Sequence, residues 1–203
     1  MSNPLPTIVV DNFFYWGPLL CRLKLHSNDL KKFAKLCSKK SSFVNETLAG
    51  VIKNEHHINT FKYSHLMDSY LQVFQQNYRH WYGVPLTQKI RVTLAWVNFM
   101  TAGEFNPPHI HGDCDFSSVL FIKVPKKLKE ENKKFPGYMA ESRGGPGSLS
   151  FIYGESQNYS ISSKSFFPEE GDLFIFPATL THFVAPFMCK EERIPMSANF
   201  KLK

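Results

Sequence analysis

From residue 89 onward the chain is a succession of short β-prone runs with no helix-length periodic stretch between them. The runs are 89–100 (KIRVTLAWVNFM), 117–124 (SSVLFIKV), 148–153 (SLSFIY), 171–177 (GDLFIFP) and 194–202 (IPMSANFKL). Gly, Pro and Asn fill the gaps, most densely around Gly144-Gly145-Pro146-Gly147. Such residues punctuate strands because they supply or force turn conformations. A parallel sheet would need crossover helices between its strands, so this spacing predicts an antiparallel sandwich or barrel. Before about residue 83 the pattern changes to a helical one. Ser27 or Asn28 can cap a helix carrying Leu30, Phe33, Ala34 and Cys37 on one face. A second helix is expected from Ser64 to Tyr82, with a stripe of Met67, Tyr70, Leu71, Phe74, Tyr78 and Trp81 and a stop at Gly83-Val84-Pro85. Between them, 45–50 reads as a turn or a short helical piece. The expected fold is α+β: a jelly roll over 89–203 braced by a mainly helical layer over 1–88, in one domain spanning 1–203.

Composition narrows the function classes. With 43% apolar residues and 19 Phe, the chain can build an aromatic core and is not a disordered one. No apolar run reaches the roughly 18 residues of a membrane-spanning helix. The amino-terminal residues lack a basic stretch followed by an apolar one, which predicts no secretory signal and a cytoplasmic location. The cysteines at 21, 37, 114 and 189 form no C-x-x-C pair, so a finger-type structural zinc site is not expected and free thiols are. The net charge of +7 is concentrated in Lys123, Lys126, Lys127, Lys129, Lys133 and Lys134. That stretch reads as a solvated loop, or as a docking surface for an acidic partner; the charge permits nucleic-acid contact without calling for it.

Of the eight histidines, His26, His56, His57, His65 and His80 lie among polar neighbours in the helical half and suit exposed or capping roles. His109-Ile110-His111 differs, because residues i and i+2 at a strand end point to one face and can converge on one ion. Imidazole suits iron, zinc and copper. A bare His-x-His is as readily a pair of exposed loop histidines, but its company matters. His182 follows the 171–177 run, and Arg193 stands eleven residues later. Beyond it, Arg193, Ser197 and Asn199 alternate with Ile194, Met196, Ala198 and Phe200. One face of that strand is therefore polar and needs a polar object, and a guanidinium pairs well with a carboxylate.

This order of His-x-His, sheet, distal His and Arg resembles the iron(II)/2-oxoglutarate-dependent oxygenases at their prolyl-hydroxylase-like end. It is most similar to the small 2OG-Fe(II) oxygenases of marine bacteria and cyanophages. The similar stretches are Asn106-Pro107-Pro108-His109-Ile110-His111, Ser117-Ser118-Val119-Leu120-Phe121, Gly171 to Pro177 with His182, and Arg193 to Asn199; Leu48 to Ile52 resembles that group's amino-terminal helical segment. The resemblance implies a double-stranded β-helix with iron(II) at its mouth, held by His109, His111 and His182. It also implies 2-oxoglutarate as co-substrate, bound by Arg193 with Ser197 and Asn199. O2 and an unidentified protein side chain or small molecule would be the other reactants, in the host cytoplasm if the protein is viral. Two departures stand out. The superfamily's usual pair is His-x-Asp, and His111-Gly112-Asp113 is one, so Asp113 could replace His109 as ligand. Pro195 occupies a place where a hydroxyl residue often assists the Arg, leaving Ser197 to serve. A cupin-like metalloenzyme without 2-oxoglutarate, or a basic binding module, remains an alternative. Specificity is expected in the loops 101–108, 125–147 and 154–168.

Overall fold

The computed structural model describes residues 17–43, 49–134, 144–158 and 161–203. Among the described residues, ten strands form two antiparallel sheets. The major sheet contains β1 (Cys21–Lys24), β2 (Glu55–His57), β3 (Ile90–Asn98), β5 (Phe116–Lys123), β8 (Asp172–Pro177) and β10 (Ile194–Leu202), in the order β1-β8-β5-β10-β3-β2. The minor sheet contains β4 (Asn106–His109), β6 (Leu149–Ile152), β7 (Ser163–Phe166) and β9 (Thr181–Val184), in the order β4-β9-β6-β7. The five expected runs became β3, β5, β6, β8 and β10, with ends that differ by at most two residues; β10 coincides with its run and β5 starts one residue earlier.

Period-two alternation divides the major sheet between two cores. Leu120, Leu173, Ile175, Met196, Ala198 and Phe200 face one side, where they meet Phe33 of α1 (Ser27–Ala34) and Tyr63, Met67, Leu71 and Phe74 of α2 (Thr60–Tyr82). Each such fully buried side chain contributes roughly 1.5–3 kcal/mol. Val119, Phe121, Phe174 and Phe176 face the other side and pack on Leu149, Phe151 and Val184 of the minor sheet. The space between the sheets is thus aromatic at one end, and the polar faces of β3 and β10 close its other end.

The helices begin where their caps lie. Asn59, not a residue near 64, accepts from the Lys62 N–H, so α2 starts a turn earlier than the apolar stripe suggests. His26 caps α1 in place of Ser27 or Asn28, its Nδ1 accepting from Asn28 N–H at 3.3 Å. Gly83, at φ +72°, ends α2 in the left-handed conformation that glycine tolerates best.

The amino-terminal layer is not only a brace. β1 and β2 extend the major sheet at its two edges, and both were missed because short charged strands carry no periodic signal. Asp172, buried on β8, secures β1 through Arg22 at 2.7 Å and Lys24 at 3.1 Å. The Lys-rich stretch is likewise a helix, α3 (Lys126–Lys133), rather than a loop. Leu128 and Asn132, one turn apart, are its buried residues, and Asn132 Nδ2 donates to the carbonyls of Leu128 and Pro146. The expected helical piece near 48–52 is absent over its described part. Ala49-Gly50 is a bend and Val51 makes a single bridge to Phe105, while 44–48 lie outside the described residues, as do 135–143 and 159–160 of the expected mouth loops. All four cysteines are free thiols. No described helix is long and apolar enough to cross a membrane.

Candidate active site

Two prolines lie on β4, the edge strand of the minor sheet, and the register with β9 shifts between Asn106 and His109. Proline has no N–H for a ladder, so an edge with an irregularity is where a strand can hold it. The shift brings His109 directly opposite His182. His111 lies two residues beyond His109 and just past the strand end, its backbone N–H donating to Ala178 O at 2.9 Å. The three imidazoles therefore converge. Ring centroids are 4.3 Å apart for His109 and His182, 5.1 Å for His111 and His182, and 5.2 Å for His109 and His111. Each offers one ligand atom, all within 4.8 Å of one another.

Neighbouring carbonyls orient two of the rings. His109 Nδ1 lies 2.7 Å from Pro107 O, and His182 Nδ1 lies 2.9 Å from Leu180 O. A carbonyl only accepts, so both Nδ1 atoms carry the proton and both Nε2 atoms present a lone pair. Burial, reinforced by His109, lowers the pKa of His182 to about 3 and that of His111 to about 4. Both rings are thus neutral at pH 7, the form that binds a metal. Phe176 backs His182 at 4.7 Å between ring centroids. Asp113 is exposed and outside this cluster, so the shifted His111-x-Asp113 pair is not assembled here.

Arg193 precedes β10, held by paired backbone hydrogen bonds with Met100 at 2.9 and 3.0 Å. Its side chain is wholly buried. The guanidinium carbon lies 4.8 Å from the centroid of the Phe121 ring, and Nη1 donates to Met100 Sδ at 3.0 Å. Nε and Nη2 have no partner, and burial pushes the pKa down to about 9. A buried cation without a counter-ion costs several kcal/mol. Arg193 lines a cavity of ≈ 230 Å³ together with the three histidines and Ser197. Asn199 does not line it; its Oδ1 instead accepts from Ser117 Oγ at 2.9 Å across the β10–β5 pair. Pro195 does line it, leaving Ser197 as the nearby hydroxyl of that face.

Glu55, Trp96 and Asn98 also line the cavity and were not singled out from the sequence. Trp96 and Asn98 alternate on β3, where an Asn at the end of an apolar strand was a readable signal; β2 is too short to have marked Glu55. His56, expected to be exposed or capping, is buried. It faces away from Glu55, with Nδ1 2.8 Å from Ser41 O and its ring against Phe43 and Phe99.

Three converging imidazoles beside an orphaned guanidinium, between two antiparallel sheets, define the site of a metal-dependent enzyme that takes an anionic co-substrate. Residues 94–199 match the family of 2OG-Fe(II) oxygenases, and the chain belongs to that family. It is accordingly an oxidoreductase that uses Fe(II) and 2-oxoglutarate. No curated protein matches it. Among solved structures, a Pseudomonas putida prolyl-4-hydroxylase is similar at TM-score 0.58 and 16% identity, covering 91% of this chain and 92% of that one. A viral collagen prolyl hydroxylase from Paramecium bursaria Chlorella virus-1, in its 2OG complex, gives 0.55 and 11%, covering 89% and 94%. A Trichoplax adhaerens prolyl hydroxylase with a hypoxia-inducible-factor peptide fragment gives 0.57 and 12%, covering 90% and 78%. These likenesses establish the double-stranded β-helix.

Proposed function

We propose that this oxygenase hydroxylates a C–H bond of a protein side chain or small molecule, with His109, His111 and His182 holding Fe(II) and Arg193 holding the distal carboxylate of 2-oxoglutarate. The observation that carries the reading is Arg193: a fully buried guanidinium, open at Nε and Nη2, lining the same cavity as the histidines. A carboxylate would supply the missing acceptors in a charge-assisted pairing. When bound, Fe(II) would supply O2 activation, with O2 as the oxidant: 2-oxoglutarate would give up two electrons as it becomes succinate and CO2, and the substrate C–H bond the other two.

The chain's own residues do the rest. Pro107 O and Leu180 O fix the tautomer and tilt of two ligands. Phe121 supports the guanidinium face, and Ser197 offers a hydroxyl nearby. Phe176 and Phe151 keep water from the back of His182. Three imidazole ligands add no negative charge, so the metal's charge is balanced by the acidic co-substrate, which couples the two binding events. A metalloenzyme without 2-oxoglutarate would leave Arg193 without a partner.

Anaerobic titration tests this. Fe(II) followed by 2-oxoglutarate should give a weak visible charge-transfer band that is missing with either component alone and missing in His182→Ala. Stoichiometric iron binding with no response to 2-oxoglutarate would refute the Arg193 assignment; unchanged iron binding by His182→Ala would refute the metal assignment.

A further inference from the structure

The cavity contains a second set of polar groups that neither the metal nor the co-substrate accounts for. Glu55 on β2 lies opposite Asn98 on β3, and both line the cavity. They are 2% and 4% exposed, and Glu55 Oε1 and Asn98 Oδ1 have no hydrogen-bond partner. Among the described residues no Lys, Arg or His forms an ion pair with Glu55, the acids that are paired being Asp29, Glu169, Asp172, Glu191 and Glu192. Burial raises the Glu55 pKa and repulsion from Glu104 adds to it; Glu104 is itself occupied, its two oxygens accepting from Lys53 N–H and Thr101 N–H. Trp96, two residues before Asn98 and on the same face of β3, also lines the cavity and is 5% exposed.

With Glu55 ionised, as it is above the pH to which burial raises it and as a bound cation would favour, both orphaned atoms are acceptors, so the group that completes them must donate. A carboxylate beside an aromatic wall selects a cation, through charge-assisted hydrogen bonding and attraction to the indole face. A carboxylate or phosphate would be repelled, and a hydroxyl would satisfy only one of the two oxygens. We infer that Glu55, Asn98 and Trp96 form the substrate-recognition corner of the site and receive an ammonium or guanidinium group of the substrate. The inference rests on the proposed function and narrows its substrate to amine- or guanidine-bearing molecules or side chains.

Two probes of one shape separate charge from hydrogen bonding: n-butylguanidinium and its neutral isostere n-butylurea. Their affinities are measured by tryptophan fluorescence on the anaerobic protein loaded with Fe(II) and 2-oxoglutarate, and again on metal-free protein. The wild type should prefer the guanidinium by about 10- to 100-fold, the worth of a hydrogen-bonded charge. Glu55→Gln, which keeps the shape, should bring the two probes to equal affinity while iron and 2-oxoglutarate affinities stay unchanged. Equal binding of the probes by the wild type would overturn the inference without needing a variant. A preference surviving in Glu55→Gln, or loss of iron binding in that variant, would overturn it too. Failure of the wild type to bind iron would instead strike the proposed function, and the metal-free comparison would still decide the corner.

Discussion

Arg193→Met replaces the buried guanidinium by an unbranched apolar side chain that can fill much of the same space. Burial lowers the Arg193 pKa from 12.5 to about 9. At about 1.4 kcal/mol per pH unit, that is a penalty on the order of 5 kcal/mol against the charged side chain. At pH 7 the group is cationic in the folded and unfolded states alike, so the penalty acts in full on the ligand-free fold. Exchange of buried charged groups for apolar ones of similar volume returns about 1–4 kcal/mol. At about 2–4 °C per kcal/mol for a chain of this size, ligand-free Arg193→Met should melt roughly 2–15 °C above the wild type. Co-substrate should narrow that gap, and reverse the ranking where the advantage of the variant is under about 2.7 kcal/mol. With redox-inert Ni(II) present, 2-oxoglutarate at a hundred times its Kd stabilises the wild type by about 2.7 kcal/mol and should leave the variant's Tm unmoved. Differential scanning calorimetry of both proteins, with and without 2-oxoglutarate, reads the crossing. A variant that melts below the wild type when ligand-free, yet keeps the full shift with 2-oxoglutarate, would refute the picture of a cation awaiting a carboxylate.

His182→Ala should lose iron while circular dichroism stays native, since the ring stands at a strand end against Phe176 and not in the helix-side core. His109→Ala should lose the metal and Asp113→Ala keep it within about 10-fold, since the exposed carboxylate is at most an outer partner; iron affinities of the two side by side decide the register. Glu55, raised from 4.5 to about 7 by burial and by Glu104, holds its proton in the folded state after the unfolded chain has lost it. The folded state thus binds more protons across that window, and stability falls by about 3 kcal/mol as pH rises from 4.5 to 7. Urea unfolding of Glu55→Gln, with the histidines and Arg193 of the cavity intact, should match the wild type near pH 4.5 and exceed it at pH 8; a gap independent of pH would contradict this.

What the sequence disclosed followed the strength of its periodicity. β3, β5, β8 and β10 come from long apolar runs, and so their faces, including the polar face of Arg193 and Ser197, are readable in the sequence. β2, with three residues, and β1, with four, have no period to detect. They exist because the edges of the sheet accept them and because Asp172 binds Arg22 and Lys24. α3 hid behind its lysines, since only Leu128 and Asn132 turn inward. The histidine cluster was visible as spacing, but its choice over Asp113 was not, because 109, 111 and 113 share parity. A register shift at two prolines sets His109 opposite His182, which no periodicity shows. Glu55 could not be found at all from the sequence; its meaning comes from Asn98, forty-three residues away in the chain and directly opposite in the sheet.

The position of β10 has a consequence for how the protein is made. It follows every other described strand in the chain, yet it lies between β5 and β3 in the major sheet. Until it docks, a nascent chain has β1-β8-β5 on one side and β3-β2 on the other, each ending in an unpaired edge, with no polar wall to complete the metal pocket. Such edges are templates for pairing with other chains, and long-range closure is slow. Synthesis therefore passes through an interval in which the sheet is split and adhesive, and the strand that seals it is the one that delivers Arg193. Folding and the placing of Arg193 in the cavity become one late event, and a truncation before Arg193 should yield aggregate rather than an inactive soluble protein.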